Sequence, residues 1–521
     1  MVVLTVAGLV HFHATGENDP RRVATGGRVG GVTGFLGVAA AVLLLSVVAV
    51  RVSIRLGLPS LLLYLGIGVL LGEAVVGIQF EDADLTRSLG TAALVLILTE
   101  GGLTTRWSAV KPALGLGVAL STVSVGVSIA VTGFALHFLL DMDWRTALLW
   151  GAVLSSTDAA AVFSVLRGVG VGKRLIGALE LESGINDAPV YIAVVLLAAS
   201  DPVTWAAPAL MAYELVAGAL IGIALGWLGG VGLRRAALPA TGLYPLATVA
   251  VCLLAYTAGD LAHASGFLAV YIAALVLGNA RLPHRADTLS FAEGLGWIAQ
   301  IGLFVLLGLY ASPGRLLDAL VPALVAGAVL VLLARPLSVL CAALPFRVPW
   351  REQVFISWSG LRGAVPIVFA LIPLIQGVEG AQRLVDAVFV LVVLLTLVQG
   401  TTLPWLAKWL GLVKSGEARE VQVDSSALDA LGAELLQVRI QRGSKLHGVY
   451  LSELRLPPGS SVSLVVRAEN SFTPQPTTRL QEHDQLLVVC TEVARTATEQ
   501  RIRAVDRAGR FARWKGDAGL P

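Results

Sequence analysis

Charged residues are scarce in this chain of 521: they make up 14% of it, against roughly 25% in ordinary soluble domains, while apolar residues reach 56%. A water-soluble enzyme of this length is excluded. The shortage is uneven, because residues 1–411 hold 45 of the 73 charges (about 11% of positions) and residues 412–521 hold 28 in 110 (about 25%). A membrane body followed by a segment of soluble composition is expected, with the step near Leu412. Cysteine is nearly absent. Cys252, Cys341 and Cys490 are widely spaced and form no CxxC, which excludes a disulfide framework and a thiolate metal site. The seven histidines do not cluster. No Ser/His/Asp set, HExxH or ATP-binding P-loop occurs, so neither an enzyme nor a cofactor is read here. A net charge of +3 argues for no nucleic-acid partner.

What is plentiful is apolar sequence long enough to cross a hydrocarbon core, which takes roughly 20 residues per helix. Thirteen spans are expected: 33–52, 59–78, 89–105, 112–139, 145–167, 174–199, 208–233, 243–262, 265–280, 291–310, 316–344, 353–376 and 384–411. Alternate loops are basic. Arg51, Arg55, Arg106, Lys111, Arg167, Lys173, Arg174, Arg234, Arg235, Arg281, Arg285, Arg335, Arg347 and Arg351 fall on one side, and only Arg87, Arg145, Arg315 and Arg383 on the other. The positive-inside rule then makes the first set cytoplasmic, with the C-terminal segment inside and the N-terminus outside a cytoplasmic membrane. Residues 1–30 read as a poorly ordered extension.

Polar groups inside spans are expensive and mark function by default. Span three ends in Thr99-Glu100-Gly101-Gly102, and span five carries Ser155-Ser156-Thr157-Asp158. Span six carries Glu180 and then Glu182-Ser183-Gly184-Ile185-Asn186-Asp187-Ala188-Pro189, and span twelve carries Ser359-Gly360-Leu361-Arg362-Gly363. Ser183 and Asp187 are four apart and share a helix face; Glu182 and Asn186 define the adjacent stripe. Two unpaired buried carboxylates would repel, and Arg362 is read as the only Lys or Arg deep in a span. A Glu182–Arg362 ion pair is therefore expected, leaving Asp187 to trade a proton for a hard monovalent cation, with the hydroxyls of Ser183 and Thr157 and backbone carbonyls as further oxygen ligands. Asp158 sits where a discontinuous helix would need a side chain to satisfy freed N–H groups, and its expected role is structural and electrostatic. The glycines and Pro366 of span twelve suggest a second break.

At these motifs the sequence resembles the monovalent cation:proton antiporters of the NhaP type, bacterial relatives of Na⁺/H⁺ exchangers. The matching segments are Ser156-Thr157-Asp158-Ala159-Ala160, Glu182 to Asp187, Gly360-Leu361-Arg362-Gly363-Ala364 and Val398-Gln399-Gly400-Thr401-Thr402, over about residues 33–411. The resemblance implies an α-helical polytopic membrane protein with inverted repeats and crossed broken helices, working as a homodimer by elevator-type alternating access. It implies that Asp187 binds cation and proton in competition, that Thr157, Ser183 and Glu100 complete the site, and that Glu182 and Arg362 pair. Asn186-Asp187 is similar to the electroneutral branch of the family. Pro189 and Ala159 depart from its pattern, which often has Pro directly after each Asp. K⁺ is the expected cation, with Na⁺ the second choice; the rival reading is a ligand-gated cation channel with a regulatory tail, against which stands the lack of a TVGYG filter.

Residues 412–431 read as a linker. From about 432 the pattern turns to short strands: Leu435–Ile440, Val462–Arg467 and Gln485–Cys490, with a helical start between Gly448 and Leu454 and turns at Pro457-Pro458-Gly459 and Glu482-His483-Asp484. Residues 432–505 are similar to the TrkA-C (RCK-C) domains of potassium-transport regulators. That resemblance implies a small α+β cytoplasmic domain that dimerises and takes a small-molecule or nucleotide effector. Residues 506–521 form a basic tail.

Overall fold

Backbone groups in a bilayer have no water to bond, so apolar runs close their hydrogen bonds internally as helices. In the computed structural model, a helix or a pair of helices stands at each of the thirteen expected spans. The structure describes residues 27–56, 59–74, 82–158, 171–200, 205–413, 423–428, 433–441, 443–467, 470–491 and 493–509. Residues 1–26 of the expected extension (1–30), the second half of span five and the tail beyond residue 509 lie outside the described residues; residues 27–30 belong to the first helix, which corrects the expectation there. The chain divides into a helical unit ending at Leu412 and a smaller unit that begins at Val413 and takes in only Gly170–Gly172 from the earlier sequence.

In the helical unit the elements are α1 (Gly27–Leu56), α2 (Ser60–Val69), α3 (Ala83–Thr104), α4 (Leu114–Leu139), α5 (Trp144–Ser155), α6 (Lys173–Ile185), α7 (Asp187–Ala198), α8 (Ala207–Arg235), α9 (Leu243–Leu261), α10 (Gly266–Gly278), α11 (Arg285–Tyr310), α12 (Leu320–Val329), α13 (Arg335–Ala343), α14 (Trp350–Trp358), α15 (Ala364–Ile375) and α16 (Ala381–Trp409). Among the described residues, eight helical stretches are long and apolar enough to cross a membrane, and Ser60–Gly72, Gly266–Gly278 and Ala364–Ile375 are shorter apolar helices. Helix starts carry polar caps: the side chain of Asp82 accepts from the Leu85 N–H at 2.8 Å and that of Asp143 from the Thr146 N–H at 3.0 Å. Outward-facing apolar side chains such as Leu44, Val216, Leu220 and Trp227 are left for lipid.

Helix α3 packs against α10, α11 and α15, and α11 also against α2. The α2–α11 crossing is a backbone contact: a Cβ on Gly68 would lie 2.2 Å from the Val305 oxygen and one on Gly308 2.2 Å from the Leu65 oxygen. On the other flank α5 packs against α4 and α7, α6 against α4, and α7 against α15.

The smaller unit is a five-stranded antiparallel sheet in the order β1-β2-β5-β3-β4, built from β1 (Val423–Leu428), β2 (Ala433–Arg439), β3 (Ser460–Arg467), β4 (Asn470–Phe472) and β5 (Gln485–Thr491), with α17 (Arg495–Ala508) after it. One face buries Leu436, Val438, Val465, Leu486 and Val488 together with Ile502 and Val505 of α17. One expectation is corrected: the segment read as a linker contains β1, whose polar sequence hides a strand held by its antiparallel pairing with β2. Helix α17 continues through Arg501 to Ala508 and so reaches the start of the expected basic tail. The His483 turn (φ 69°) positions Asp484, fully buried and bonded at 2.8 Å to both Nε and Nη2 of Arg467.

Candidate functional site

Helix α5 stops at Ser155, and Ser156 turns extended (φ −64°, ψ 141°). Helix α14 stops at Trp358, and α15 begins at Ala364 after Gly363 (φ −118°, ψ −137°). The two interruptions meet, with the Asp158 N–H donating to the Leu361 oxygen at 2.9 Å. A Cβ on Gly363 would fall 1.5 Å from Asp158 Oδ2. The Asp158 carboxylate therefore lies on the Gly363 backbone, at the N-terminal, positive end of α15. The second half-helix of span five, which Asp158 is expected to cap, lies outside the described residues.

Span six is interrupted more mildly. Asn186 separates α6 from α7 yet keeps helical angles, and its N–H still reaches the Glu182 oxygen at 2.9 Å. Pro189 falls in the first turn of α7, where a missing N–H removes no intrahelical bond. This layout puts Asp187 in that first turn, facing the α5 terminus. Ser156 Oγ donates to Asp187 Oδ1 at 2.9 Å, Asn186 Nδ2 donates to Thr157 Oγ1 at 2.5 Å, and Thr157 Oγ1 lies 3.2 Å from Ser183 Oγ. All six of these polar residues, Asp158 included, are buried.

Thr157, Asp158, Ser183 and Asp187 open onto a cavity of about 30 Å³ lined on its other sides by α3, α11 and α15. That is room for a water or a stripped monovalent ion, given that a single water needs at least about 10–15 Å³. Carboxylate and hydroxyl oxygens suit a hard cation. Among the described residues no group of three or more His, Cys, Asp or Glu gathers to hold a resident metal ion.

The structure brings together Thr157, Asp158, Ser183, Asn186 and Asp187. It does not put Glu100 on the cavity; the Glu100 side chain packs across α11 instead, where a Cβ on Gly296 would meet its Cγ at 2.9 Å. The expected Glu182–Arg362 pair is corrected. Glu182 Oε1 bonds Arg335 Nη1 at 2.5 Å, and both side chains are almost wholly buried. By sequence Arg335 falls with the cytoplasmic loops, yet α13 carries it inward, where Ser124 Oγ and the Ile356 oxygen also receive its guanidinium at 3.5 and 3.4 Å. Arg362 stays within Coulombic range of Glu182 and Arg335, with its Nε and Nη1 buried and unpartnered. Its backbone oxygen accepts from Thr396 Oγ1 of α16 at 2.9 Å.

Three site residues escape a reading of the sequence: Arg335, Ser156 as a ligand of Asp187, and Gln300, which lines the cavity from α11. For Gln300 the available signal is a lone amide between Glu293 and Tyr310 in an otherwise apolar run.

Known proteins share this architecture. The family model described as sodium/hydrogen exchanger, transmembrane, matches residues 40–409, and the TrkA-C domain model matches residues 435–501. The chain is 35% identical over 487 residues to the K(+)/H(+) antiporter NhaP of Alkalimonas amylolytica, covering 90% of this chain and 84% of that one. It is 34% identical over 499 residues to the K(+)/H(+) antiporter NhaP2 of Shewanella baltica (strain OS223), covering 93% and 86%. The sodium proton antiporter MjNhaP1 from Methanocaldococcus jannaschii, solved at pH 8, superposes with a TM-score of 0.61 at 22% identity, over 74% of this chain and 99% of that one.

Proposed function

This chain belongs to the sodium/hydrogen exchanger family, and we propose that it exchanges K⁺, with Na⁺ as second choice, for H⁺ at the cavity beside Asp187. It is a multi-pass membrane transporter, not an enzyme, and it carries a TrkA-C domain. The observation behind the reading is the convergence of Asp187, Ser183, Thr157 and Asp158 on one small cavity at the meeting of two interrupted helices. Interrupted helices at membrane depth are tolerated where they line a site.

In this reading Asp187 is the exchanging carboxylate. Protonated, it needs no counter-charge; ionised, it takes a cation whose lost water is replaced by Thr157, Ser183 and the carboxylate itself. Asn186 fixes the Thr157 hydroxyl and Asp158 holds the crossing. Preference for K⁺ is supported by the names of the two relatives above and by the TrkA-C domain. Alternating access of the elevator kind is supported by the placement of the cavity between α3 and α11 on one side and the α5, α6–α7 and α14–α15 breaks on the other. A homodimer, cytoplasmic placement of the C-terminal domain, and its regulation of transport by a small effector complete the proposal.

The test is proton movement, followed by a pH-sensitive dye in everted vesicles as K⁺, Na⁺, Li⁺ or Rb⁺ is added. Asp187→Asn keeps shape and removes the titrating group, so cation-dependent alkalinisation should vanish while the protein is still made and inserted. Near wild-type exchange in that variant would overturn the assignment.

A further inference from the structure

We infer that Gln300 is a cation-coordinating residue that sets selectivity, supplying an amide oxygen to the cavity from the helix opposite Asp187; the inference rests on the antiport reading above. Four of the polar cavity groups come from the α5 terminus and the α6–α7 pair, and the faces contributed by α3 and α15 are apolar: Leu94, Ile97 and Leu98, then Ala364 and Val365. Gln300 is the one polar side chain that α11 adds to the lining, beside Leu303 and Phe304. It is half-buried, and among the described residues its amide makes no hydrogen bond. A neutral amide on a cavity otherwise edged with carboxylates and hydroxyls adds one more oxygen suited to a hard cation that fills the cavity. Nearby side chains explain why no protein group takes that place. Glu100, which meets α11 one helical turn back at Gly296, is directed onto that glycine rather than into the cavity.

An amide suits the two loadings of such a site. Its oxygen coordinates a cation when Asp187 is ionised and accepts a hydrogen bond from the carboxylic acid when Asp187 is protonated. It adds no charge in either case, so it changes affinity for the cation without changing how many protons are exchanged. Selectivity among monovalent cations depends on the number and field strength of the oxygens around the ion. A neutral oxygen opposite a single exchangeable carboxylate keeps the field weak and the ligand count high, which favours the larger, weakly hydrated ions.

The experiment measures half-saturating concentrations for K⁺, Rb⁺, Na⁺ and Li⁺ by dye-monitored ΔpH in proteoliposomes of the full chain, for wild type, Gln300→Ala and Gln300→Glu. Thermal stability in detergent is the folding control. Gln300→Ala should weaken the apparent affinity for K⁺ and Rb⁺ by about three- to tenfold, the worth of one polar contact, with a smaller change for Na⁺ and Li⁺. Gln300→Glu, which raises the field strength, should move the preference toward Na⁺ and Li⁺. A merely structural residue would lower the maximal rate for all four ions alike, and that result, or unchanged affinities in both variants, would sink the inference while leaving the antiport reading intact. A wild-type protein that moves protons with none of the four ions would bring down both.

Discussion

Glu182 and Asp187 share a helix pair and are both buried, yet their neighbours give them opposite duties. Glu182 faces a guanidinium at 2.5 Å, and Asp187 faces hydroxyls. A carboxylate with a fixed cation is locked into its charge; one flanked by hydroxyls and the like-charged Asp158, with no fixed cation, has a free choice of partner. Arg335, rather than Arg362, should therefore dominate the coupling to Glu182. Removing one partner of a buried pair costs roughly 3–5 kcal/mol. Glu182→Ala and Arg335→Ala should each lower the melting temperature sharply, and the double variant should lose much less than the sum. The matching cycle of Glu182 with Arg362 should show the weaker coupling. Thermal unfolding in detergent reads both cycles, and additive losses for Glu182 with Arg335 would contradict the pairing.

At the level of elements, the crossing of the α5 and α14–α15 breaks depends on a side chain that is missing. With Asp158 Oδ2 1.5 Å from where a Cβ would stand, Gly363→Ala must push either the carboxylate or the α15 terminus aside. Overpacking of this kind costs about 1–3 kcal/mol, which a large membrane body can survive, but the cavity cannot keep its geometry. Exchange should be lost with the protein still inserted. Gly126→Ala in α4, where an added Cβ would meet nothing within 4 Å, should transport normally in the same vesicle assay. These elements also show what a single sequence discloses. The spans are legible because apolar length alone determines them, and the acidic and hydroxyl residues of spans five and six stand out because nothing else polar surrounds them. Arg335 is not legible: it comes directly after a π-helical turn over Leu330–Ala334 near a span end, where an arginine ordinarily belongs to the loop. Gln300 is hidden by its apolar neighbours, and β1 by serines and an aspartate whose strand character exists only through pairing with β2.

For the molecule as a whole, the buried charges decide what a transport cycle does to the membrane potential. Glu182 is balanced by Arg335, which leaves the fixed positive charge of Arg362 to set against the fixed negative charge of Asp158 at the α15 terminus. Asn186 and Gln300 carry no charge, and Glu100 is turned away from the cavity. Asp187 is then proposed as the one cavity carboxylate whose partner alternates. In the proposed reading the site would have the same net charge whether loaded with a proton or with one K⁺ or Na⁺, and a complete cycle is expected to move none. Exchange in proteoliposomes should run at the same rate with and without a potential imposed by an independent ion gradient. A potential of 100 mV is worth about 2.3 kcal/mol per elementary charge moved, enough to change a charge-moving step by more than tenfold. The effect could not escape measurement if the count were wrong. Strong acceleration, or reversal with the sign of the potential, would mean that Asp158 also takes up and releases a proton during the cycle, and Arg362 would then be the group whose uncompensated charge drives that release.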